Sequence, residues 1–450
     1  MSNLNVRSIT GKDGQPVSFP TGISIGAGAA GAVNHIGIPG QRGFGVGICP
    51  GPLPSGMVEM TGTRDQGHDN YGNYQYSDGS VMVWIPAFYY KWGTGANGLA
   101  INQSSIKAFS EYADVATANA AGYALDRAFY DGGAVKSGVF RFKYLPSNNN
   151  GIASSLKNGI VLTSAQRGSI ANTAFATLNG TPANTLGGAI AAAKTLGADF
   201  FPETAFIQNA CALLSYAHAQ ASTSTTFCAW YHATNNFPKG NNNNALGDAQ
   251  DAAILYVADG NGTYPGCGKT GSANLFARTT HNGQNCGVAD DNGLVYKFTP
   301  GLTSNGTDYF LLNTSVAMKN VTGGNTLATD LFGATGLAAM YTNIGATYGA
   351  ITKSGGWKYV GSAAQVFSEA VSGTAWAMAC AGIPLVGGTG GTNAFGNDGL
   401  YDPATPVNEM ALLSGGYWND SSGAGAFCRY LAGNRTDSSV YGGFRSALYL

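Results

Sequence analysis

The hydrophobic and polar positions of the chain mostly alternate over short distances, which indicates strands and ordered loops. The strongest strand pattern is in residues 81–92, where branched and aromatic residues dominate the run VMVWIPAFYYKW. Pro86 interrupts this run, so we expect an edge strand or a bulged strand. A second strand is predicted in residues 310–318, where FLLNTSVAM alternates.

Helical spacing of apolar residues is clearest in residues 202–220. The apolar positions that recur at three- and four-residue spacing are Phe206, Ala210, Leu213, Leu214 and Ala217. This spacing predicts a helix with a single apolar face, and Pro202 and Glu203 suit its first turn. A shorter Ala-rich helix is predicted for residues 187–196.

The first 75 residues are rich in Gly and Pro, with GISIGAGAAGAVNHIGIPGQRGFGVGICPGPLPSG as the extreme stretch. No helical period fits them, so small strands or an extended arm are expected. An arm that buries little surface alone usually packs on a partner chain. We therefore predict an attachment and oligomerisation region over residues 1–78 and a folded domain with insertions over residues 79–450.

The C-terminal segment, residues 412–450, has apolar ends and a polar middle; we call it the display segment. Its middle holds the short polar and aromatic side chains that stack and form hydrogen bonds at adaptable surfaces. We predict that the ends anchor it and that the middle is a ligand-binding surface. The predicted lining residues are Tyr417, Trp418, Asn419, Asp420, Ser421, Ser422, Tyr430, Asn434, Arg435, Thr436, Asp437, Ser438, Ser439 and Tyr441. For Trp418 and Tyr430, a place in the core of the last sheet is the alternative.

Three segments together resemble a known family. The display segment, with GGYWN at 415–419 and GFRSA at 443–447, resembles the end of the C-type-lectin-like fold in its formylglycine-generating-enzyme-like branch. That branch includes phage tropism determinants and other variable proteins of diversity-generating retroelements. CGVADDNGLVYKF at 286–298 is similar to a second element of the family, with Lys297 in place of an acidic residue and Phe298 in place of Trp. ALDRAFYDGG at 124–133, followed by FKYL at 142–145, resembles the domain opening in many tailed-phage virion proteins.

The resemblance implies an α+β, C-type-lectin-like fold rich in ordered loops, preceded by a Gly/Pro-rich β-type attachment region. Residues 81–92 would open the domain, residues 140–144 would pair with them, and residues 95–120 would be an inserted loop. The implied function is that of a phage tail-fibre or tail-tip protein, usually a trimer, which binds a sugar or protein receptor on the host surface. The alternatives are a structural or decoration protein of the virion, or a tail enzyme that degrades polysaccharide; we expect no enzyme activity.

Composition and charge narrow the classes of partner. Charged residues are only 10% of the chain, against about 25% in ordinary soluble domains, and the net charge is −1. Binding to nucleic acid needs a basic stripe, which the sequence lacks. The N-terminus has no apolar signal-peptide core, and the longest nearly apolar run, residues 376–386, is too short to span a bilayer. We therefore expect no signal peptide and no membrane insertion, and the resemblance implies synthesis in the host cytoplasm and a final location in the virion.

The seven cysteines favour neither a disulfide framework nor a zinc knuckle, because their number is odd, their spacing is wide and no C-x-x-C occurs. We expect small buried hydrophobic residues, with Cys267 and Cys286 as the first pair to test for a disulfide. Formylglycine-generating enzymes use paired cysteines, whereas Cys428 stands alone in that region. Cys228 with His232, or His281 with Cys286, could hold zinc only if loops converge.

Acidic residues cluster at three places: Asp290 with Asp291, Asp248 with Asp251, and Asp398 with Asp402. We rank three interpretations of these pairs. Turn caps come first, because Asp and Asn favour turns for local reasons. A Ca²⁺ site comes second and is the one cofactor left open. The acid and base of a glycosidase come third.

Overall fold

The computed structural model describes residues 33–229, 237–321, 337, 339–388 and 395–450. The chain is a mixed α+β protein, with 26% strand and 16% helix, which confirms the predicted fold class at that level. The described α-helices are α1 (Val115–Ala120), α2 (Leu186–Lys194), α3 (Ala205–Ala221) and α4 (Gly373–Cys380). Single 3₁₀ turns are found at Phe109–Glu111, Arg127–Phe129, Phe175–Thr177, Phe276–Thr279, Met318–Asn320 and Ser421–Gly423.

The strands are short and are distributed along the whole described chain. In order they are β1 (Met57–Glu59), β2 (Asn73–Tyr76), β3 (Val81–Pro86), β4 (Phe88–Trp92), β5 (Ser104–Ala108), β6 (Ala124–Leu125), β7 (Tyr130–Asp131), β8 (Ala134–Val135), β9 (Gly138–Phe142), β10 (Ser147–Asn149), β11 (Ile152–Ser154), β12 (Phe201–Pro202), β13 (Gly247–Asp248), β14 (Asp251–Leu255), β15 (Tyr296–Phe298), β16 (Leu302–Ser304), β17 (Tyr309–Leu312), β18 (Tyr341–Gly345), β19 (Gly356–Tyr359), β20 (Gly399–Asp402), β21 (Leu413–Ser414), β22 (Arg429–Tyr430), β23 (Gly442–Gly443) and β24 (Ser446–Leu448).

The first six-stranded sheet is antiparallel and has the order β1-β2-β3-β9-β24-β12. The predicted pairing of residues 140–144 with residues 81–92 is confirmed, since Trp84 of β3 lies opposite Phe140 of β9. The predicted edge position is wrong, because β3 lies between β2 and β9. Pro86 ends β3, and β4 then enters a separate three-stranded sheet, β5-β4-β6. The run therefore contains two strands, and proline, which lacks an N–H, marks the change of sheet.

The second six-stranded sheet is mixed and has the order β19-β20-β22-β21-β15-β23. Its parallel pairs are β15 with β23 and β20 with β22. Strand β17 pairs with β16 and β18 in another sheet, which confirms a strand within residues 310–318. Residues 95–120 are not only loop, because they contain β5 and α1. The C-terminal chain thus contributes to both large sheets, through β21 to β23 in one and β24 in the other.

Helix α3 occupies the centre of the main hydrophobic core. Every residue from 205 to 219 is buried, so the predicted single apolar face is wrong. Its polar side chains have partners: Gln208 Oε1 accepts from Arg141 Nη2 at 2.7 Å, and Asn209 Nδ2 donates to Ala379 O at 3.1 Å. A helix that is surrounded on all sides must be mostly apolar around its circumference. Helix α2 confirms the shorter predicted helix, with bounds at residues 186–194.

The start of α3 differs from the prediction. Thr204 is the N-cap, and its side chain accepts from the Ile207 amide at 3.3 Å. Pro202 therefore belongs to β12 and Glu203 precedes the helix, so neither forms its first turn. The carboxylate of Glu203 is instead bound by arginine side chains in the interior.

Replacement of the N-cap oxygen gives the first testable prediction. We expect Thr204→Ala to lower the free energy of unfolding by about 1 kcal/mol, because the Ile207 amide loses its acceptor. Urea denaturation followed by tryptophan fluorescence measures the change. Thr204→Ser keeps the oxygen and is the matched control; equal losses in both variants would contradict a capping role.

The described part of the predicted attachment region, residues 33–78, packs into the same fold as the rest of the chain. Ile36, Phe44 and Val46 are fully buried in the main core, and Asn282 Nδ2 donates to Phe44 O at 2.9 Å. Strands β1 and β2 also extend the first sheet. The predicted boundary after residue 78 is therefore not a break in the described structure. Residues 1–32, where an extended arm was predicted, lie outside the described residues.

A buried ionic cluster connects the two large sheets; it consists of Arg141, Glu203, Asp291, Lys297 and Arg445, all 0% exposed. Arg141 of β9 binds Glu203 through Nε at 2.5 Å and Asp291 through Nη1 at 2.6 Å. Arg445, immediately before β24, adds weaker contacts of 3.8 Å to Glu203 and 3.5 Å to Asp291. Charges removed from water at this depth persist only when they are paired and hydrogen-bonded.

Residues from two of the family-like segments meet in this cluster. Asp291 comes from the 286–298 segment and Arg445 from the terminal one. Lys297, which stands where the family element is acidic, donates from Nζ to the backbone oxygen of Asp291 at 3.2 Å. Burial lowers the pKa of Lys297 to about 8, although Asp291 opposes this shift. Gly415 has φ of +90°, and a β-carbon there would lie 2.9 Å from the backbone oxygen of Asp291, so this position favours glycine.

Candidate functional site

One face of the second sheet carries a row of large side chains that follows directly from strand register. Trp357 lies opposite Tyr401, Tyr401 opposite Tyr430, and Tyr430 opposite Leu413. Leu413 in turn lies opposite Phe298. Residues directly opposite in neighbouring strands point to the same face, so this register alone aligns five side chains across the sheet.

Further aromatic residues extend the row. Tyr296 lies two positions before Phe298 and therefore shares its face. Tyr401 stacks on Tyr430 at 4.8 Å between ring centroids, and Tyr296 stacks on Tyr417 at 5.5 Å. Tyr441 lies 5.0 Å from Tyr417. Such offset and tilted ring contacts stabilise an aromatic surface beyond simple burial, so the rings form one continuous layer.

The layer lines a cavity of about 370 Å³ that opens to solvent, which we call the aromatic pocket. Its floor is formed by the sheet residues Tyr296, Phe298, Trp357, Leu413 and Tyr430. Its walls come from two loops and are formed by Tyr417, Asp420, Ala432, Asp437, Ser438, Ser439 and Tyr441. The rim is accessible, since 43% of Trp357 and 40% of Tyr441 are exposed.

The loops that form the walls are held by hydrogen bonds. Asp420 Oδ2 accepts from the Tyr417 amide at 3.1 Å, and Asp437 Oδ2 accepts from the Asn434 amide at 2.7 Å. Ser438 Oγ donates to the backbone oxygen of Ser164 at 3.1 Å. The walls are therefore largely preformed, which reduces the entropy lost when a ligand binds.

The charged residues of the aromatic pocket are both acidic. Asp420 is half-buried in one wall, and its burial raises the pKa of its carboxyl to about 6. Hydrogen bonds from Tyr296 and the Tyr417 amide oppose this increase. Asp437 lies at the exposed rim. No Lys, Arg or His is found among the described residues that line the pocket.

The structure separates the fourteen predicted site residues into three groups. Those that line the aromatic pocket are Tyr417, Asp420, Tyr430, Asp437, Ser438, Ser439 and Tyr441. Those that are accessible at the surface but outside the pocket are Asn419, Ser421, Ser422, Asn434 and Thr436. The remaining two, Trp418 and Arg435, are buried. Half of the predicted set is thus brought together around one cavity.

Trp418 and Arg435 do not belong to the displayed surface, which corrects the predicted position of Arg435 and selects the core position that was the alternative for Trp418. Trp418 is 3% exposed and packs in a core cluster with Leu145 and Val161. Its neighbour Tyr417 lines the pocket instead. Arg435 is 2% exposed, and its Nη2 donates to Thr303 Oγ1 at 3.1 Å.

Five lining residues escaped the sequence prediction: Tyr296, Phe298, Trp357, Leu413 and Ala432. A usable signal existed in YKF at 296–298, where two aromatic residues flank a lysine with strand alternation. That alternation places both rings on one face, but it does not identify the neighbouring strand. The parallel pairing of β15 with β23 brings Tyr296 beside Gly442, and no local pattern predicts it.

The acidic pairs are mostly engaged by protein groups. Asp290 accepts from Tyr256, Thr270 and the Gly271 amide at 2.7–3.0 Å. Asp290 and Asp291 are 0% exposed, so a polysaccharide cannot reach this pair, and the glycosidase interpretation of it is wrong.

Turn capping, the first interpretation, holds for Asp248, whereas Asp402 lies in β20 and binds the amides of a distant loop. Asp248 Oδ1 accepts from the Gln250 amide at 2.8 Å, and Asp402 accepts from backbone amides of residues 352–354. Within the described ranges, no group of three or more His, Cys, Asp or Glu side chains could hold a metal ion. His232 lies outside these ranges, so the Cys228 with His232 hypothesis stays a prediction.

The seven cysteines all lie within the described residues, are buried as expected for small hydrophobic residues, and form no disulfide. Cys267 and Cys286 are not joined. Cys267 Sγ accepts from Arg167 Nη1 at 3.3 Å, whereas Cys286 Sγ accepts from Asn282 Nδ2 at 3.5 Å. Burial raises the pKa of Cys267 to about 12, which keeps the thiol protonated and unreactive at neutral pH.

Comparison with known proteins assigns no family to this chain. Neither a scan against protein-family models nor a search of curated proteins finds a match. In the part of the chain that the structure describes, no helix has the length and apolar character needed to cross a membrane.

Proposed function

We propose that this protein is a tailed-phage virion protein, part of a tail fibre or tail tip, which binds the host cell surface through a C-terminal C-type-lectin-like domain. The observation that carries the proposal is the aromatic pocket, which is open to solvent and formed in large part by the display segment. Its receptor contact would be made by exposed rings and by the acidic and hydroxyl groups around them.

The physical properties of the aromatic pocket suit recognition. Exposed rings such as Trp357 and Tyr441 offer large contact areas with few rotatable bonds, so their binding costs little conformational entropy. Aromatic residues are also enriched at the centres of interfaces, where they supply most of the binding energy. A sheet floor beneath the rings keeps them in place before the ligand arrives.

The lectin-like fold is proposed on sequence and topology together. Two of the family-like segments supply Asp291 and Arg445 to one ionic cluster, and the terminal strand β24 pairs with β9. Much of the remaining chain is ordered loop between short strands. These features support the resemblance that the sequence motifs first indicated.

Attachment and multivalency complete the proposal. The chain would join other virion proteins through its N-terminal residues and would act as a homo-oligomer, with a trimer as the expected state. Several copies on one particle convert weak single contacts into tight adsorption, because each later contact forms at high effective concentration. Host adsorption would then tolerate modest affinity at each pocket.

Point variants are needed to test the receptor contact, because deletion of the display segment would destroy the fold. β24 is an internal strand of the first sheet, and Arg445 belongs to the buried ionic cluster. The double variant Trp357→Ala/Tyr441→Ala removes only exposed rings. We expect its binding to intact host cells to fall at least about tenfold, the factor for 1.4 kcal/mol, measured by flow cytometry of labelled full-length protein.

Val58→Ala is the matched control, because Val58 is 57% exposed on β1 of the other large sheet. This variant should bind cells like the unchanged protein. Unchanged binding by the double variant would exclude the aromatic pocket as the receptor contact. If the unchanged protein itself does not bind cells but is found in virions, the alternative of a structural or decoration protein is correct.

A further inference from the structure

We infer that the aromatic pocket binds an amino sugar whose amine carries a positive charge. The inference rests on the proposed function and names the class of receptor group for the same site. Two observations support it. Aromatic rings and two carboxylates line the pocket, and the basic side chains on the strands of the second sheet lie on the face opposite the pocket.

The rings of the pocket form the kind of environment that attracts a cation. Tyr296, Tyr417, Tyr430, Tyr441 and Trp357 all line the cavity. The face of each ring is negative, and a cation within about 6 Å of a ring centroid is attracted to it. Several rings around one cavity give several such contacts to the same charged group.

The two charged lining groups reinforce this preference. Asp420 lies in the loop after β21, and Asp437 lies in the loop before β23, so carboxylates enter from two separate walls. Each uses one oxygen, Oδ2, for a backbone amide. An anionic sugar would meet these carboxylates without a cationic partner, so the pocket disfavours uronic and sialic acids.

Strand register places the basic side chains of the second sheet on the face opposite the pocket. Lys358, Arg429 and Lys297 each alternate with a ring residue of the pocket floor. The register places Lys358 opposite Leu400, Leu400 opposite Arg429, and Arg429 opposite Ser414, which lies opposite Lys297. This row is the reverse face of the same sheet.

Each of these cations has partners on its own side. Lys358 Nζ donates to Asp402 Oδ2 at 2.8 Å, and Arg429 Nε donates to Ala381 O at 2.9 Å. Lys297 contributes to the buried ionic cluster. None of the three can turn into the pocket without breaking these bonds, so the pocket keeps its negative character.

A sugar is the favoured carrier of the amine because the ring layer is continuous along the pocket floor. Tyr401 continues the row between Trp357 and Tyr430 and stacks on Tyr430. Aromatic faces stack on the apolar faces of sugar rings, and the strip offers such a platform beside the acidic pocket. The amine would then contact Asp420 while the sugar ring lies on the aromatic row.

Two ligand pairs test the inference by isothermal titration calorimetry on the full-length protein at pH 7. Tetramethylammonium and its neutral isostere tert-butyl alcohol test the charge. Glucosamine and N-acetylglucosamine test the sugar, because acetylation removes the positive charge and keeps the ring. We expect tetramethylammonium and glucosamine to bind about tenfold or more tightly than their neutral partners.

Two variants locate the binding. Asp420→Asn keeps an oxygen for the Tyr417 amide, and Trp357→Ala removes an exposed ring, so both should fold. Each should weaken glucosamine binding by about fivefold or more. Affinity should also fall as the pH drops through about 6, where Asp420 becomes protonated. The neighbouring titratable groups are Asp437, Tyr296, Tyr417, Tyr430, Tyr441 and Cys428. Asp420→Asn should remove the part of the pH dependence of glucosamine affinity that Asp420 causes.

Equal affinity for charged and neutral partners, or glucosamine binding unaffected by Asp420→Asn, would overturn the inference. Binding of tetramethylammonium without binding of glucosamine would overturn the sugar as the source of the amine. The outcomes are separable from those of the proposed function. If the Trp357→Ala/Tyr441→Ala variant loses cell binding but the unchanged protein does not bind tetramethylammonium, only the amino-sugar inference is rejected. If the unchanged protein binds tetramethylammonium but the double variant still adsorbs to cells normally, the receptor role of the pocket is rejected.

Discussion

Asp291→Ala is expected to lower the free energy of unfolding by about 3–5 kcal/mol, because it leaves buried arginine charge without its partner. Asp291 accepts from Arg141 Nη1 at 2.6 Å and from Nη2 at 2.8 Å, and Arg445 Nη2 lies 3.5 Å away. All three side chains are 0% exposed, so water cannot replace the lost carboxylate without opening the core. Urea denaturation followed by tryptophan fluorescence measures the change.

Arg64→Ala is the control for this prediction. Arg64 pairs with Glu59 at 2.5 Å, but the arginine side chain is 56% exposed. Exposed pairs contribute only about 0–1 kcal/mol, because water already solvates both partners. If Asp291→Ala and Arg64→Ala lower stability by similar small amounts, the buried ionic cluster is not a structural anchor.

The pH dependence of stability gives the same prediction a second measurement. Burial alone would raise the pKa of Asp291, but Arg141 and Arg445 outweigh burial and hold that pKa below its ordinary value. A carboxyl with a lowered folded-state pKa stabilises the protein above its unfolded pKa of about 3.9. This contribution is lost as the pH falls through the folded pKa. Asp291→Ala should therefore lose less stability than the unchanged protein in that acidic range.

Local sequence patterns predicted several helices and strands, but their burial and most of their pairing depend on contacts between distant parts of the chain. Helix α3 was found from apolar spacing, helix α2 from its Ala-rich composition, and the pairing of β9 with β3 from the family resemblance. Apolar spacing could not reveal that α3 is surrounded, because burial on all sides depends on loops that cover its polar positions. Gln208 illustrates this, since its partner Arg141 lies 67 positions earlier in the chain.

The role of Asp291 shows a similar limit. The sequence identified the segment that contains Asp291, and turn caps or Ca²⁺ were its leading interpretations. Arg141, its partner, is 150 positions away, and nothing in the intervening residues points to the contact. A buried ion pair needs both partners to be placed before its chemistry becomes visible.

The candidate site was predicted in part for a comparable reason. The composition of the display segment identified Tyr417, Asp420 and Tyr441, but the floor of the aromatic pocket depends on β15 and β19, which lie far earlier in the chain. A shift of one residue in strand register exchanges the two faces of a strand. Tyr417 and Trp418 follow β21 outside any strand, so no alternation in the sequence could decide which of them faces outward.

Trp418→Ala tests that assignment, and we expect it to lower the free energy of unfolding by about 3–5 kcal/mol. Trp418 is 3% exposed and packs with Leu145, Val161 and Leu294, so truncation leaves a large cavity. Trp357→Ala, in which the removed ring is 43% exposed, should cost about 1 kcal/mol or less. Urea denaturation of both variants gives the comparison, and the reverse order would place Trp418 on the displayed surface. Since Trp357 lines the aromatic pocket and Trp418 packs in a core cluster, the expected order separates the residue proposed to contact ligand from a residue that stabilises the fold.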